Sequence, residues 1–157
     1  MCHYSLSISL SCEEQTAALA RRIAPLLTAS DVILMDGAIG AGKSFFARSL
    51  ILALLPEPED IPSPTFTIVQ TYDTAIFEIW HCDLYRLTSA FEAQELGLED
   101  AFETALCLVE WPDRLGKLAP KDALLISMSQ TENTGERLLT FSSNSKRWKN
   151  LLEQVNE

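Results

Sequence analysis

The sequence predicts an α/β domain of three layers, with a mixed β-sheet between two layers of helices. Two short apolar runs, at 32–35 and 106–109, are typical of parallel strands that are buried on both faces. Segments rich in β-branched and aromatic residues at 65–72 and 76–84 flank a short turn, which predicts an antiparallel hairpin. The sheet is therefore expected to combine a parallel core with antiparallel hairpins.

Local patterns place the remaining elements along the chain. Weak alternation over residues 3–10 predicts an edge strand. Ser11 and Glu14 have the spacing of a capping box, so a helix should begin after Ser11, and Pro25 should shorten the last turn of that helix. Apolar periodicity predicts further helices at 90–96, 98–104 and 145–154, and a last pair of strands at 124–128 and 137–141.

Composition indicates a packed globular protein in the cytoplasm. The apolar fraction of 47% excludes a disordered chain, and 157 residues suit a single domain spanning 1–157. The four cysteines are scattered and form no C-x-x-C pair, which argues against zinc and against a disulfide framework. No leader pattern opens the chain and no apolar run has the length of a membrane span, so we expect no membrane association.

The charge balance bears on whether the protein touches nucleic acid. The net charge of −10 argues against a nucleic-acid footprint, which requires a basic surface. If RNA is involved, another subunit is expected to hold it. The acidity is equally consistent with a role in solubility alone, and both interpretations stay open.

The turn after the first apolar run carries the clearest chemical signal. Its sequence, GAIGAGKS (37–44), satisfies the P-loop pattern G-x-x-x-x-G-K-[ST]. The three glycines allow positive φ and let backbone N–H groups approach phosphate oxygens, and the following helix directs its positive end at the same anion. Lys43 can reach the β- and γ-phosphates, and the Ser44 hydroxyl can ligate Mg²⁺. The motif predicts a P-loop NTPase-like fold that binds a nucleoside triphosphate.

The second apolar run ends in a carboxylate. Residues 106–109 lead directly into Glu110, which is the form of a Walker-B strand that delivers an acid beside the P-loop. There Glu110 can hold Mg²⁺ or its water. His81, within the predicted hairpin, is expected to be a hydrogen-bonded structural histidine.

Four segments together resemble one small family, the TsaE (YjeE-type) ATPases of bacterial tRNA threonylcarbamoyladenosine biosynthesis. They are the P-loop at 37–44, SPTFTIVQTY at 63–72, HCDLYRL at 81–87 with ELGLEDAF at 95–102, and CLVEWPDRL at 107–115. The last three motifs are more specific than the P-loop, because other P-loop families do not carry all of them. The resemblance spans most of the chain from about residue 11 to 141.

The resemblance implies a set of site residues and cofactors, namely ATP or ADP with Mg²⁺. It gives catalytic roles to Lys43, Asp83 and Glu110, with Ser44 and Glu110 as metal ligands. The residues that it implies lie around the nucleotide are Glu13, Ile39, Gly40, Ala41, Gly42, Lys43, Ser44, Phe45, Thr65, Trp111, Asp113 and Arg137. Ser63 and Thr65 would belong to a switch-like loop near the γ-phosphate.

The resemblance also implies a slow, Mg²⁺-dependent ATPase whose site is completed by TsaD- and TsaB-like subunits. The tRNA would then contact this chain only indirectly. Arg86, Arg114 and Arg137 are the arginines near the predicted site, and none is evidently dedicated to the γ-phosphate, which favours completion by partners. Two alternatives remain open from the sequence: a small-molecule or nucleoside kinase, and a nucleotide-dependent binding switch with negligible catalysis.

Overall fold

The computed structural model describes residues 3–64 and 67–156, and one sheet organises them. Within these residues seven strands pair in the order β1-β7-β6-β2-β5-β4-β3. In chain order the strands are Tyr4–Leu10, Val32–Asp36, Val69–Asp73, Glu78–Asp83, Leu106–Glu110, Leu124–Gln130 and Arg137–Ser143. The helices α1 to α5 are Glu13–Ile23, Lys43–Leu54, Ala90–Glu95, Leu98–Thr104 and Lys146–Val155. None of the helices in the described part of the chain is long and apolar enough to cross a bilayer.

The sheet combines a parallel core with antiparallel margins, as predicted. Strand β2 pairs in parallel with both β5 and β6, and β4 pairs in parallel with β5. The pairs β3–β4, β6–β7 and β1–β7 are antiparallel, and β1 lies at one edge of the sheet. The carboxyl ends of β2, β4 and β5 therefore meet at the same edge, where ligands bind in open α/β sheets.

Helices cover both faces of the sheet and give the three predicted layers. The period-2 alternation of β2 places Ile33 and Met35 on one face and Val32 and Leu34 on the other. The first pair packs in a core with residues of α1, α2 and α5, among them Leu19, Phe46 and Trp148. The second pair packs with residues of α3 and α4, among them Ala93, Leu98 and Phe102.

The start of α1 differs from the predicted capping box. The N-cap is Cys12 rather than Ser11, and Cys12 makes no side-chain capping bond. Instead the backbone N–H of Ser11 donates to Gln15 Oε1 at 2.7 Å, so a glutamine replaces Glu14 in the role of acceptor. At the other end α1 stops at Ile23 and a 3₁₀ turn over Ala24–Leu26 follows, which confirms the predicted effect of Pro25.

The predicted strand at 65–72 is shorter than expected. Strand β3 begins only at Val69, because Ile68 has a φ of 69°, in the left-handed region that interrupts an extended chain. Residues 65 and 66 lie outside the described part of the chain. Strand β4 likewise begins at Glu78, since the hydroxyl of Thr74 accepts the N–H of Phe77 at 3.0 Å and closes the hairpin turn.

An ion pair anchors α5 to the start of β2. Arg147 donates to both oxygens of Asp31, through Nε at 2.7 Å and Nη2 at 2.5 Å, and the Asp31 side chain is only 7% exposed. The hydrogen bond to Asp31 raises the pKa of Arg147, although burial opposes the shift. The pair is bidentate, the strongest geometry for an arginine and a carboxylate.

We expect Arg147→Met to lower the free energy of unfolding by about 2 kcal/mol, because it leaves the buried Asp31 carboxylate without its cation. Urea denaturation measures the change. Lys149→Met is the matched control on the same helix, since its 3.9 Å contact with Glu153 is exposed. That control should stay within about 0.5 kcal/mol of the parent protein. Equal effects of the two variants would contradict the prediction.

Candidate functional site

The glycine-rich loop joins the end of β2 to the start of α2. Gly40 and Gly42 have φ values of 85° and 107°, in the left-handed region that glycine adopts at little cost. At Gly37 the constraint is steric, because a Cβ there would lie 2.4 Å from the carbonyl oxygen of Met128. The sequence therefore needs its glycines here, and Gly42 is the N-cap from which α2 begins.

Lys43 is folded back over its own loop. Its side chain donates to the carbonyl oxygen of Gly37, and Nζ lies 3.7 Å from the centroid of the Trp111 ring. Lys43 is only 5% exposed. Burial lowers the pKa of Lys43, and the nearby carboxylates of Glu110 and Asp83 oppose that shift. The ammonium is thus held inside the loop, at the position where a phosphate would be recognised.

Ser44 and Glu110 meet at the start of α2. The hydroxyl of Ser44 lies 2.8 Å from Oε2 and 3.0 Å from Oε1 of Glu110. Neighbouring oxygen ligands of an octahedral Mg²⁺ ion lie about 2.9 Å apart, since each is about 2.0–2.1 Å from the ion. Both groups are hard oxygen donors, so this pair fits magnesium. Ser63, from the predicted switch-like loop, contributes a hydroxyl 3.4 Å from that of Ser44.

His81 holds the other side of Glu110. Its Nε2 lies 2.8 Å from Glu110 Oε2, and its ring is fully buried within β4. Among the described residues, Nδ1 of His81 finds no hydrogen-bond partner. The histidine is hydrogen-bonded, as the sequence predicts, and it fixes the orientation of a carboxylate that is itself only 3% exposed.

Asp83 reaches the same site through strand pairing. In the parallel register of β4 and β5, Asp83 lies directly opposite Glu110. Its Oδ1 accepts the backbone N–H of Tyr85 at 3.0 Å, and the residue is 6% exposed. The fold therefore brings together two carboxylates that are far apart in sequence.

Trp111 forms the rim of the site next to Glu110. Its φ of 59° lies in the left-handed region, which is unusual for a bulky residue. The Tyr85 ring packs against it, with centroids 4.9 Å apart and planes tilted by 52°. Asp113, which the resemblance places near the nucleotide, is 59% exposed and forms a 2.7 Å ion pair with Arg114. The Trp111 face thus borders the site, while Asp113 is held by Arg114.

The side chains of Lys43, Ser44, Asp83, Glu110 and Trp111 line one part of a cleft of about 380 Å³. Glu13 from the start of α1, Phe45 from α2 and Arg137 from β7 line the opposite wall, and Ile39 lies at the loop tip with 74% of its surface exposed. Arg137 donates through Nε to the carbonyl oxygen of Ala41 at 3.1 Å. Thr65 lies outside the described residues.

Two residues that the sequence did not single out as site residues, Arg48 and Tyr85, also line the cleft. Arg48 lies four residues after Ser44, so helical periodicity alone places the two on one face of α2. Tyr85 follows Asp83 by two residues and is 46% exposed. Periodicity was therefore an available signal for Arg48, whereas the position of Tyr85 depends on the turn after β4.

The glycine loop between a buried parallel strand and a helix, with carboxylates at the ends of the neighbouring strands, defines an α/β protein of the P-loop class. A family model described as "Threonylcarbamoyl adenosine biosynthesis protein TsaE" matches residues 10–139. The chain belongs to the TsaE family, and its role lies in tRNA threonylcarbamoyladenosine biosynthesis. The resemblance seen in the sequence is thereby confirmed.

Individual relatives and a solved structure agree with this assignment. A TsaE protein of Rickettsia conorii is 38% identical over 138 residues, covering 88% of this chain and 78% of the relative. The Bacillus subtilis TsaE protein is 32% identical over 143 residues, covering 90% of this chain and 88% of the relative. The crystal structure of Bacillus subtilis YdiB superposes with a TM-score of 0.83 at 27% identity, covering 99% of this chain and 97% of that chain.

Proposed function

We propose that this chain is a Mg²⁺-dependent ATPase that binds ATP and ADP and hydrolyses ATP slowly, as one subunit of the threonylcarbamoyladenosine machinery. The observation that carries the proposal is the 2.8 Å contact between Ser44 and Glu110 at the N-terminus of α2, beside the buried Lys43. The contact supports the proposal because two oxygen donors suited to a metal ion and an ammonium suited to phosphate lie at the mouth of one glycine loop.

Phosphate binding follows from the loop and from Lys43. Backbone N–H groups at the start of α2 and the positive end of the helix dipole attract an anion. Lys43 would exchange its bond to the Gly37 carbonyl for a phosphate oxygen. The ammonium stays close to its present position in this exchange, so binding requires little rearrangement.

In the proposal, Mg²⁺ and the attacking water are held by different residues. Ser44 and Glu110 would hold Mg²⁺, which neutralises charge on the phosphates when bound. Asp83, opposite Glu110 on the neighbouring strand, would position the attacking water. A mostly apolar cavity between the loop and α1, lined by Glu13 and Phe45 among others, would receive the adenine ring.

The proposal assigns completion of the site to TsaD- and TsaB-like partners. Two of the three arginines that the sequence places near the site already have partners: Arg114 pairs with Asp113, and Arg137 donates to a loop carbonyl. Arg48 also lines the cleft, from the face of α2 that carries Ser44. A cationic group on the γ-phosphate raises the rate by about 10³–10⁵ in other NTPases. Slow turnover by the isolated chain is the consequence.

The net charge of −10 supports only indirect contact with tRNA, and we place the protein in the cytoplasm.

Phosphate release by the isolated chain, compared with the chain mixed with TsaD- and TsaB-like subunits, tests the proposal. We expect Mg²⁺-dependent hydrolysis that rises at least about tenfold in the mixture. Equal rates would overturn completion by partners. Transfer of the phosphoryl group to an added nucleoside, without net hydrolysis, would favour a kinase instead.

A further inference from the structure

We propose that Gln130 and Arg137 are positioning residues that hold the glycine loop in its anion-binding shape through its backbone carbonyl groups. The proposal rests on nucleotide binding as proposed above and deepens it. It gives Arg137 a different role from the direct nucleotide contact that the family resemblance implies.

Two side chains of the β6–β7 hairpin donate to consecutive carbonyl groups of the loop. Gln130 Nε2 lies 2.8 Å from the oxygen of Gly40. Arg137 reaches the oxygen of Ala41 through Nε at 3.1 Å and that of Gly40 through Nη2 at 3.5 Å. Its remaining terminal nitrogen, Nη1, donates to the Glu136 carbonyl at 3.1 Å. Each nitrogen of the guanidinium thus donates to a backbone carbonyl.

Holding these carbonyls determines where the loop N–H groups point. In a trans peptide the C=O and N–H bonds point in opposite directions. Fixing the Ala41 carbonyl on Arg137 therefore points the N–H of Gly42 away from the guanidinium group, and Gly42 is one of the residues that line the cleft. The peptide group between Gly40 and Ala41 is held at both ends. Its carbonyl accepts from Gln130, and its N–H, which belongs to Ala41, donates to the Ala38 carbonyl at 3.0 Å.

The hairpin is a rigid support for these contacts. Gln130 and Arg137 are directly opposite each other in the antiparallel register of β6 and β7. Strand β6 is also the parallel neighbour of β2, from which the glycine loop emerges. The two donors therefore occupy fixed positions relative to the loop, and they remove the freedom that its glycines would otherwise give it.

ADP affinity, measured by calorimetry on the full chain, tests the proposal with paired variants. We expect Gln130→Met to weaken ADP binding about threefold to tenfold and Arg137→Met to weaken it about tenfold or more. Arg137→Lys decides between the two roles, because lysine keeps the charge but lacks the forked donors. We expect Arg137→Lys to lose most of the affinity that Arg137→Met loses. Retention of affinity within about twofold in Arg137→Lys would overturn the proposal.

Matched controls and a second measurement separate positioning from a loss of fold. Gln154→Met on α5 and Arg21→Met on α1 make the same changes at exposed sites and should bind ADP like the parent chain. In the protein without nucleotide, the Ala41 amide donates to the Ala38 carbonyl at 3.0 Å, and its hydrogen exchange should accelerate in both hairpin variants, with the global melting temperature within about 3 °C of the parent. Unchanged hydrogen exchange in these variants would overturn the positioning role, whether or not the parent chain binds ADP. Failure of the parent chain to bind ADP would instead count against the proposed function.

Discussion

Glu110→Gln is expected to lower the rate of ATP hydrolysis by about 10²–10³-fold, the cost of removing one preorganised charge from a transition state. The substitution keeps the shape of the side chain and an oxygen that can accept from Ser44 or His81, whose contacts with Glu110 are 2.8 Å each. It removes the negative charge that the proposed metal requires. The measurement is phosphate release at saturating ATP and Mg²⁺.

ADP binding without Mg²⁺ should change little in the Glu110→Gln chain, because Lys43 and the loop remain intact. Glu57→Gln, in the exposed segment after α2, is the matched control and should hydrolyse ATP like the parent chain. A Glu110→Gln chain that hydrolyses ATP at the parental rate would remove Glu110 from the proposed mechanism.

Lys43→Met is expected to weaken the binding of ADP and of a non-hydrolysable ATP analogue by about 10- to 100-fold. A hydrogen bond to a charged group contributes about 1.5–3 kcal/mol, and the variant loses the bond between Lys43 and phosphate. Methionine still packs on the Trp111 ring, so the nucleotide-free fold should persist. Calorimetric titration measures the affinity.

Lys117→Met, an exposed lysine beyond the rim of the site, provides the control for a loss of one positive charge. Its affinity should remain within about twofold of the parent value, because exposed charges at a distance are screened by salt. If Lys43→Met binds both nucleotides as tightly as the parent chain, the loop is not the phosphate site.

The parts of the site that are local in sequence were predictable. The motif at 37–44 specifies a turn and a helix start through the φ preferences of glycine, and the run before Glu110 indicates a buried strand. These two predictions sufficed for the fold class. Local patterns predicted the start of β3 less accurately, because the positive φ of Ile68, 69°, interrupts the extended chain and the strand begins only at Val69.

The contacts that orient the site could not be read from local patterns. Gln130 and Gly40 are 90 residues apart, and His81 and Glu110 are 29 apart, so each contact depends on which strands become neighbours in the sheet. Strand order is a property of the whole sheet and is not contained in any one segment. The resemblance to the TsaE family identified Gly40 and Glu110 as site residues, but it gave no distances and did not identify Gln130.

Under the proposed function, the internal contacts of Lys43 have a consequence for product release. The Lys43 ammonium has a carbonyl acceptor and an aromatic face within the protein itself, so its buried charge does not lack partners. A phosphate that binds Lys43 would have to replace its hydrogen bond to the Gly37 carbonyl, which lowers the net affinity for the phosphate by the free energy that this bond supplies. When ADP leaves, the same hydrogen bond would form again and offset part of the cost of its dissociation. These internal contacts would therefore favour release of the product over its tight retention.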